Sequence, residues 1–213
     1  HDADMGFAHD GDADRALAVD ANGAIVDGDQ LMAILALALK AKGELARNTL
    51  VATVMSNLGL RIAMKDAGID MIETKVGDRY VLEQIREGGF TLGGEQSGHI
   101  ILGNLATTGD GLLVALEVLN SLKNNGKASK VFSVFKKIPQ VLENIKVKNK
   151  NIVENKSLKA RIDQIDKSLK QEGRLLVRKS GTENLIRIMV ESSDKKLIKD
   201  TVNEVKKLIL NYA

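Results

Sequence analysis

The sequence predicts an α/β domain, a parallel or mixed sheet with flanking helices, followed by a smaller C-terminal α+β open sandwich. Three observations predict it. Apolar β-branched runs alternate with segments of helical periodicity through the first half. A polar stretch, NNGKASK at residues 124–130, then interrupts the pattern as a linker would. Beyond it the charge reverses: residues 1–128 hold 11 Lys and Arg against 18 Asp and Glu, whereas residues 129–213 hold 20 against 10.

Taken in order, DMGFAHDGDADR reads as a buried strand running into a loop, with nothing upstream to pair with. Residues 29–42 form a helix capped by Asp27 or Asp29. TLVATVM is a buried strand, LRIAMKDAG a short helix stopped at Gly68, DMIETKV a second strand, and DRYVLEQIREGG a helix stopped by paired glycines. Residues 90–102 read as two short strands around a turn, GEQSGH. GDGLLVALEVLNSLKNNG is a long helix that closes the first domain. The second domain runs strand (VLENIKVK), helix (Leu158, Ile162, Ile165 and Leu169 on one face), strand (RLLVRK), loop, strand (LIRIMVE), helix. In the last helix Leu197, Ile198, Val202, Val205, Leu208 and Ile209 repeat near 3.6 residues.

Composition narrows the function. The longest uninterrupted apolar run, Leu31 to Leu39, is too short to span a bilayer as a helix, so no membrane partner is expected. The chain has no cysteine, hence neither disulfide nor thiolate chemistry, which suits a cytoplasmic protein. The basic C-terminal part places its lysines on the polar faces of amphipathic helices and offers few aromatics for base stacking, so no nucleic acid partner is expected.

Three loops carry chemistry. In HDGDADR, Asp10, Asp12 and Asp14 alternate with small residues; in extended backbone positions two apart point the same way, so three carboxylates can converge on a hard cation. An EF-hand is excluded, because Arg15 falls where that loop needs glycine and Ala21 where it needs a bidentate glutamate. Mg²⁺ fits a few carboxylates with an open position for a phosphate oxygen; a solvated acidic turn is the plainer alternative. In GEQSGH, Glu95 and Ser97 sit two apart and suit adjacent hydroxyls of a polyol ring, while His99 can donate to a phosphate or move a proton. An exposed polar hairpin turn explains that loop as well. In RKSGTENLIR, Arg178, Ser180, Gly181, Thr182 and Arg187 are the parts of a phosphate clamp: amide groups around a glycine turn, two hydroxyls and two guanidinium forks. Arg187 lies on the face opposite Ile186 and Ile188 and can leave the core; a surface hairpin accounts for the lysines but not for the whole set.

Together these loops suggest a phosphorylated sugar held near Mg²⁺ by both ends. DGDADR, TVMSN, VGDRYVLE, GGEQSGH, TGDG and RKSGTENLIRIMVE, in this order and spacing, resemble the α-D-phosphohexomutases, over essentially all 213 residues. The resemblance is closest to the members that act on amino sugars. It implies a four-domain isomerase in which a phosphoserine exchanges phosphoryl groups with the sugar through a sugar bisphosphate intermediate, interconverting glucosamine 6-phosphate and glucosamine 1-phosphate for UDP-N-acetylglucosamine and cell-wall synthesis. Asp10, Asp12 and Asp14 would then hold Mg²⁺, with Arg15 beside the reacting phosphate, Glu95 and Ser97 on sugar hydroxyls and His99 nearby. Arg178, Ser180, Gly181, Thr182 and Arg187 would hold the non-reacting phosphate. By the same resemblance residues 1–20 are the end of domain two, 21–128 domain three and 129–213 domain four, with NNGKASK as hinge; a homodimer is one assembly open to the chain, and the sequence does not fix the oligomeric state.

The family's serine loop, Thr-Ala-Ser-His-Asn-Pro, has no match in the sequence, and Ser56 in the MSN motif does not replace it. The chain is therefore expected to be the C-terminal half of the enzyme and inactive alone. Lys179 and Asn184 stand where the family's phosphate loop usually has prolines. A relative acting on mannose or glucose phosphates, a non-catalytic sugar-phosphate sensor and a basic interaction module are the alternatives.

Overall fold

Every residue of the strand TLVAT (residues 49–53) is buried, so the sheet it belongs to is covered on both faces. The computed structural model describes residues 3–122, 132–169 and 172–212, and the expected linker at 124–130 lies outside them. The chain divides into two compact units, His1–Lys137 and Ile138–Ala213.

In the first unit, β1 (Met5–His9), β2 (Ala16–Asp20) and β3 (Ile25–Val26) form an antiparallel sheet in that order. The expectation that the first strand is buried is corrected here: its residues are half-buried or exposed, and it pairs with the downstream β2 from Met5↔Asp20 to His9↔Ala16. The β2–β3 turn is fixed by Asp20, whose carboxylate accepts from the N–H of Asn22 (2.9 Å) and of Ala24 (2.8 Å).

Helix α1 (Gly28–Lys42) starts at Asp27, not Asp29. Asp27 and Gln30 form a reciprocal capping box, and Gly43 ends the helix in the left-handed conformation. A four-stranded sheet follows in the order β5 (Asp70–Thr74), β4 (Thr49–Thr53), β6 (Leu92–Gly94), β7 (Ile100–Leu102). The first three are mutually parallel and β7 is antiparallel to β6, giving the mixed sheet the sequence predicts. Leu50 and Ala52 of β4 enter the large core with Leu31, Met32 and Leu35 of α1 and Leu60 and Met64 of α2 (Leu58–Asp66). Val51 points the other way, into a smaller cluster with Val81 and Ile85 of α3 (Asp78–Gly88) and Ile101 of β7. Helix α4 (Gly111–Leu122) adds Val114 and Val118 to the large core. Phe132, beyond the expected linker, is buried in that same core.

In the second unit β8 (Gln140–Lys146), β10 (Leu185–Ser192) and β9 (Gly173–Lys179) form an antiparallel sheet in that order. Ile145, Leu175, Ile186, Ile188 and Val190 share one face and pack with α5 (Lys156–Leu169) and α6 (Lys195–Leu210). Leu158 and Leu169 are buried and Ile162 and Ile165 half-buried, the face their spacing predicts. A short 3₁₀ turn, Lys150–Glu154, which the sequence pattern does not show, lies between β8 and α5.

Candidate functional site

Backbone pairing brings two of the three loops together. Arg15 and His99 form an isolated antiparallel bridge, and Ala16 N–H donates to Gly98 O at 3.1 Å, so the GEQSGH loop lies directly against the acidic loop. Gly98 is required at that seam. Its φ is +95°, and a Cβ there would stand 3.0 Å from the carbonyl carbon of Ala16.

The acidic loop is a turn, which corrects the extended geometry expected for it. Ala13 N–H donates to Asp10 O at 3.2 Å, and Ala13 holds φ +58°, a strained value for a residue with a Cβ. The carboxylates of Asp10, Asp12 and Asp14 nevertheless converge, each with an oxygen within 4.8 Å of the others. Arg15 Nε sits 3.1 Å from Asp10 Oδ2 and 3.5 Å from Asp14 Oδ1, and Arg15 N–H donates to Asp10 Oδ1 at 3.3 Å. Asp14 Oδ1 is buried and accepts no hydrogen bond. A buried carboxylate oxygen that accepts no hydrogen bond and has only the Arg15 ion pair at 3.5 Å, beside two further carboxylates, fits a hard divalent cation such as Mg²⁺.

His99 is buried, with Nε2 3.4 Å from Asp14 Oδ2. Its ring thus rests against the acidic loop. The TGDG motif has a matching role, since Gly111 N–H donates to Ala13 O at 2.9 Å and Asp110 caps α4 through Leu113 N–H at 2.9 Å, seating the helix under the same loop.

Residues 94–99 form the tight turn expected between the two short strands: Glu95 N–H donates to His99 O at 2.9 Å and Gly98 N–H to Glu95 O at 3.0 Å. Glu95 and Ser97 still face one cleft of about 560 Å³, which Asp14, Arg15 and His99 also line. Glu95 Oε1 accepts from Gly77 N–H at 2.9 Å at the start of α3, which aims the carboxylate. Sequence reasoning missed that anchor, although VGDRYVLE marks its place. It also missed the support beneath the loop. Asp29, buried at the start of α1, accepts from Gln96 Nε2 (3.3 Å) and Asn57 N–H (2.8 Å), tying GEQSGH to the SN turn of TVMSN. Burial raises the Asp29 pKa to about 7; the Asn57 N–H opposes the rise and the charge of Asp27 adds to it.

The third loop belongs to the second unit. Arg178 on β9 and Arg187 on β10 are cross-strand neighbours, both half-buried, and the Nε of each is buried without a hydrogen bond. Burial, and then the charge of Arg187, lower the pKa of Arg178. Two like charges held side by side are what an oxyanion relieves. Ser180 is buried, with its N–H bonded to Leu185 O at 2.9 Å, while Gly181 and Thr182 are exposed. A Cβ at Gly181 would meet nothing within 4 Å, so that glycine is not imposed by packing within the loop.

A family model described as the phosphoglucomutase/phosphomannomutase alpha/beta/alpha domain III matches residues 27–138, and one described as the C-terminal domain of the same family matches residues 142–208. The phosphoglucosamine mutase of Corynebacterium diphtheriae is 56% identical over 197 residues, which is 92% of this chain and 44% of the relative. That of Caldanaerobacter subterraneus subsp. tengcongensis is 51% identical over 213 residues, 98% of this chain and 48% of the relative. The chain thus spans about half the length of the curated relatives it matches. Among solved structures, a phosphoglucomutase/phosphomannomutase family protein from Burkholderia thailandensis superposes with a TM-score of 0.80 at 23% identity, covering 100% of this chain and 47% of that one. The Aspergillus fumigatus N-acetylphosphoglucosamine mutase, crystallised with GlcNAc-6P and magnesium, superposes with a TM-score of 0.77 at 20% identity, covering 98% and 49%.

Proposed function

The chain belongs to the phosphoglucomutase/phosphomannomutase family, and from that premise we propose that it serves a phosphoglucosamine mutase, interconverting glucosamine 6-phosphate and glucosamine 1-phosphate. One observation carries the reading at the site: the acidic loop and the GEQSGH loop, distant in sequence, line a single cleft.

In this reading Asp10, Asp12 and Asp14 hold Mg²⁺. When bound, the ion neutralises charge on phosphoryl oxygens, the main electrostatic demand of phosphoryl transfer. Arg15 is steadied by Asp10 and Asp14, leaving its remaining guanidinium N–H groups for the reacting phosphate. Glu95, aimed by Gly77, and Ser97 take sugar hydroxyls. His99 positions Asp14 and reaches the cleft edge. Arg178, Ser180, Gly181, Thr182 and Arg187 take the phosphate that is not reacting, with the paired guanidinium groups as its countercharge. Residues 1–20, 21–128 and 129–213 then correspond to the end of domain two, domain three and domain four. The phosphoryl-carrying serine is not among these residues, and the sugar bisphosphate intermediate requires it. Cytoplasmic location and a homodimeric assembly belong to the same proposal.

The test is calorimetric titration of glucosamine 6-phosphate into the chain with Mg²⁺ present. Saturable binding is expected, with loss of about tenfold in affinity for Arg178→Gln or Arg187→Gln, the cost of one charge-assisted contact. Absence of any binding by the folded wild-type chain overturns the proposal.

A further inference from the structure

Lys150 opens the 3₁₀ turn that follows β8, and its ammonium group reaches across to the phosphate loop. Nζ donates to Ser180 O at 2.9 Å, Gly181 O at 3.0 Å and Glu183 O at 3.2 Å. An ammonium group has three protons, and all three are used. Lys150 therefore has no proton left to offer a bound phosphate. Its effect falls on the backbone instead, because in a trans peptide the C=O of one residue and the N–H of the next point in opposite directions, and no peptide here is cis. Drawing the carbonyls of residues 180, 181 and 183 toward Lys150 turns the N–H groups of Gly181, Thr182 and Asn184 away from it. Those three residues are exposed, and their N–H groups make no hydrogen bond among the described residues. Unpaired N–H groups turned to one side of a tight turn form an anion nest.

The same 3₁₀ turn grips the loop a second time. Lys179 Nζ donates to Asn151 Oδ1 at 3.0 Å and to Glu154 Oε1 at 2.5 Å. Lys179 is the last residue of β9, at the entrance to the loop, so side-chain bonds from residues 150–154 restrain the loop backbone there.

We infer that Lys150 is a positioning residue which presets the phosphate loop, organising the amides of Gly181, Thr182 and Asn184 to receive a phosphate without touching it. The inference rests on the assignment of this loop as a phosphate site.

The experiment is a titration of the full 213-residue chain with inorganic phosphate, followed by amide and lysine-ammonium NMR. In the wild type, phosphate should shift the amides of Gly181, Thr182 and Asn184 and leave the Lys150 Nζ signal in place. Lys150→Met should weaken phosphate binding about tenfold and speed amide exchange at residues 181–184, as expected when charged hydrogen bonds that preorganise a site are lost. Lys150→Arg, which keeps the cation and returns some of the hydrogen bonds, should recover most of that loss; if the methionine variant fails to fold, the arginine variant carries the test, with an expected loss of about threefold. A folded Lys150→Met that binds phosphate at the loop as tightly as the wild type, or a Lys150→Arg that does so where the methionine variant does not fold, overturns the role of Lys150 while the phosphate site stands. A Lys150 Nζ signal that moves on adding phosphate makes Lys150 a direct ligand and also overturns it. If phosphate leaves the wild-type loop amides unmoved, the phosphate assignment fails and the inference with it.

Discussion

Burial of a carboxylate raises its pKa, and at Asp29 the consequence is a pH-dependent stability. The folded chain holds a proton there up to about pH 7, whereas the unfolded chain releases it near the ordinary value of 3.8. Between those values the folded state binds more protons than the unfolded one, so stability falls as pH rises through the window and levels off above it. Asp29→Asn cannot ionise and should flatten that fall, a difference that urea midpoints measured from pH 4 to pH 8 will show. The substitution keeps an oxygen for the Asn57 and Gln96 donors, so the loop should hold its place. At this scale the sequence was informative about which residue types matter, offered Asp29 only as an alternative helix cap, and was silent about Lys150. Nothing in the order of residues marks one aspartate near a helix start, or one lysine among many, as a support for a loop far along the chain. Buried Glu191, 3.3 Å from Arg174 across β9 and β10, was equally hidden, because a strand pattern shows facing and not what lies opposite.

Elements, by contrast, were largely legible. The capping box, the glycine stops and the 3.6-residue stripes set the helices near their expected bounds because those signals are local. The antiparallel β1–β2–β3 sheet was read only as its first strand; ALAVD is short, and its hairpin depends on Asp20 bonding its own turn. The GEQSGH turn between two short strands was read as such, whereas the acidic loop was read as extended and is a turn, since residue spacing alone does not fix backbone conformation. The junction of α1 with GEQSGH supplies a prediction at this scale. Gly28 N–H donates to Gln96 O at 3.1 Å, and a Cβ at Gly28 would stand 2.7 Å from Gly98 N and 2.9 Å from Gln96 O. Backbone cannot yield as a side-chain end can. Gly28→Ala should therefore destabilise the first unit by about 1–3 kcal/mol, the range for overpacking, measurable by thermal unfolding. Binding of glucosamine 6-phosphate should weaken with it if the displaced loop carries Glu95 and Ser97 out of place.

For the whole molecule the expected outcome is catalytic silence. A mutase cycle needs a phosphoryl-carrying serine, and no segment of the 213 residues matches that loop. The purified chain should therefore show no turnover of glucosamine 6-phosphate in a coupled assay, even with Mg²⁺ and a sugar bisphosphate supplied. Appreciable conversion would mean that another group in this chain carries the phosphoryl. Among the described residues no helix is long and apolar enough to cross a membrane. The sequence by itself determined the alternation of elements and the family, and marked the loops to which the proposed chemistry is assigned, because hydrophobic period, caps and contiguous motifs act over a few residues. Only the tertiary structure decided that Asp14 lies against His99, that Glu95 is aimed by Gly77, and that Lys150 holds the carbonyls of the phosphate loop. These contacts join residues from 18 to 85 positions apart, and their geometry is fixed by strand register and core packing, which no local pattern encodes.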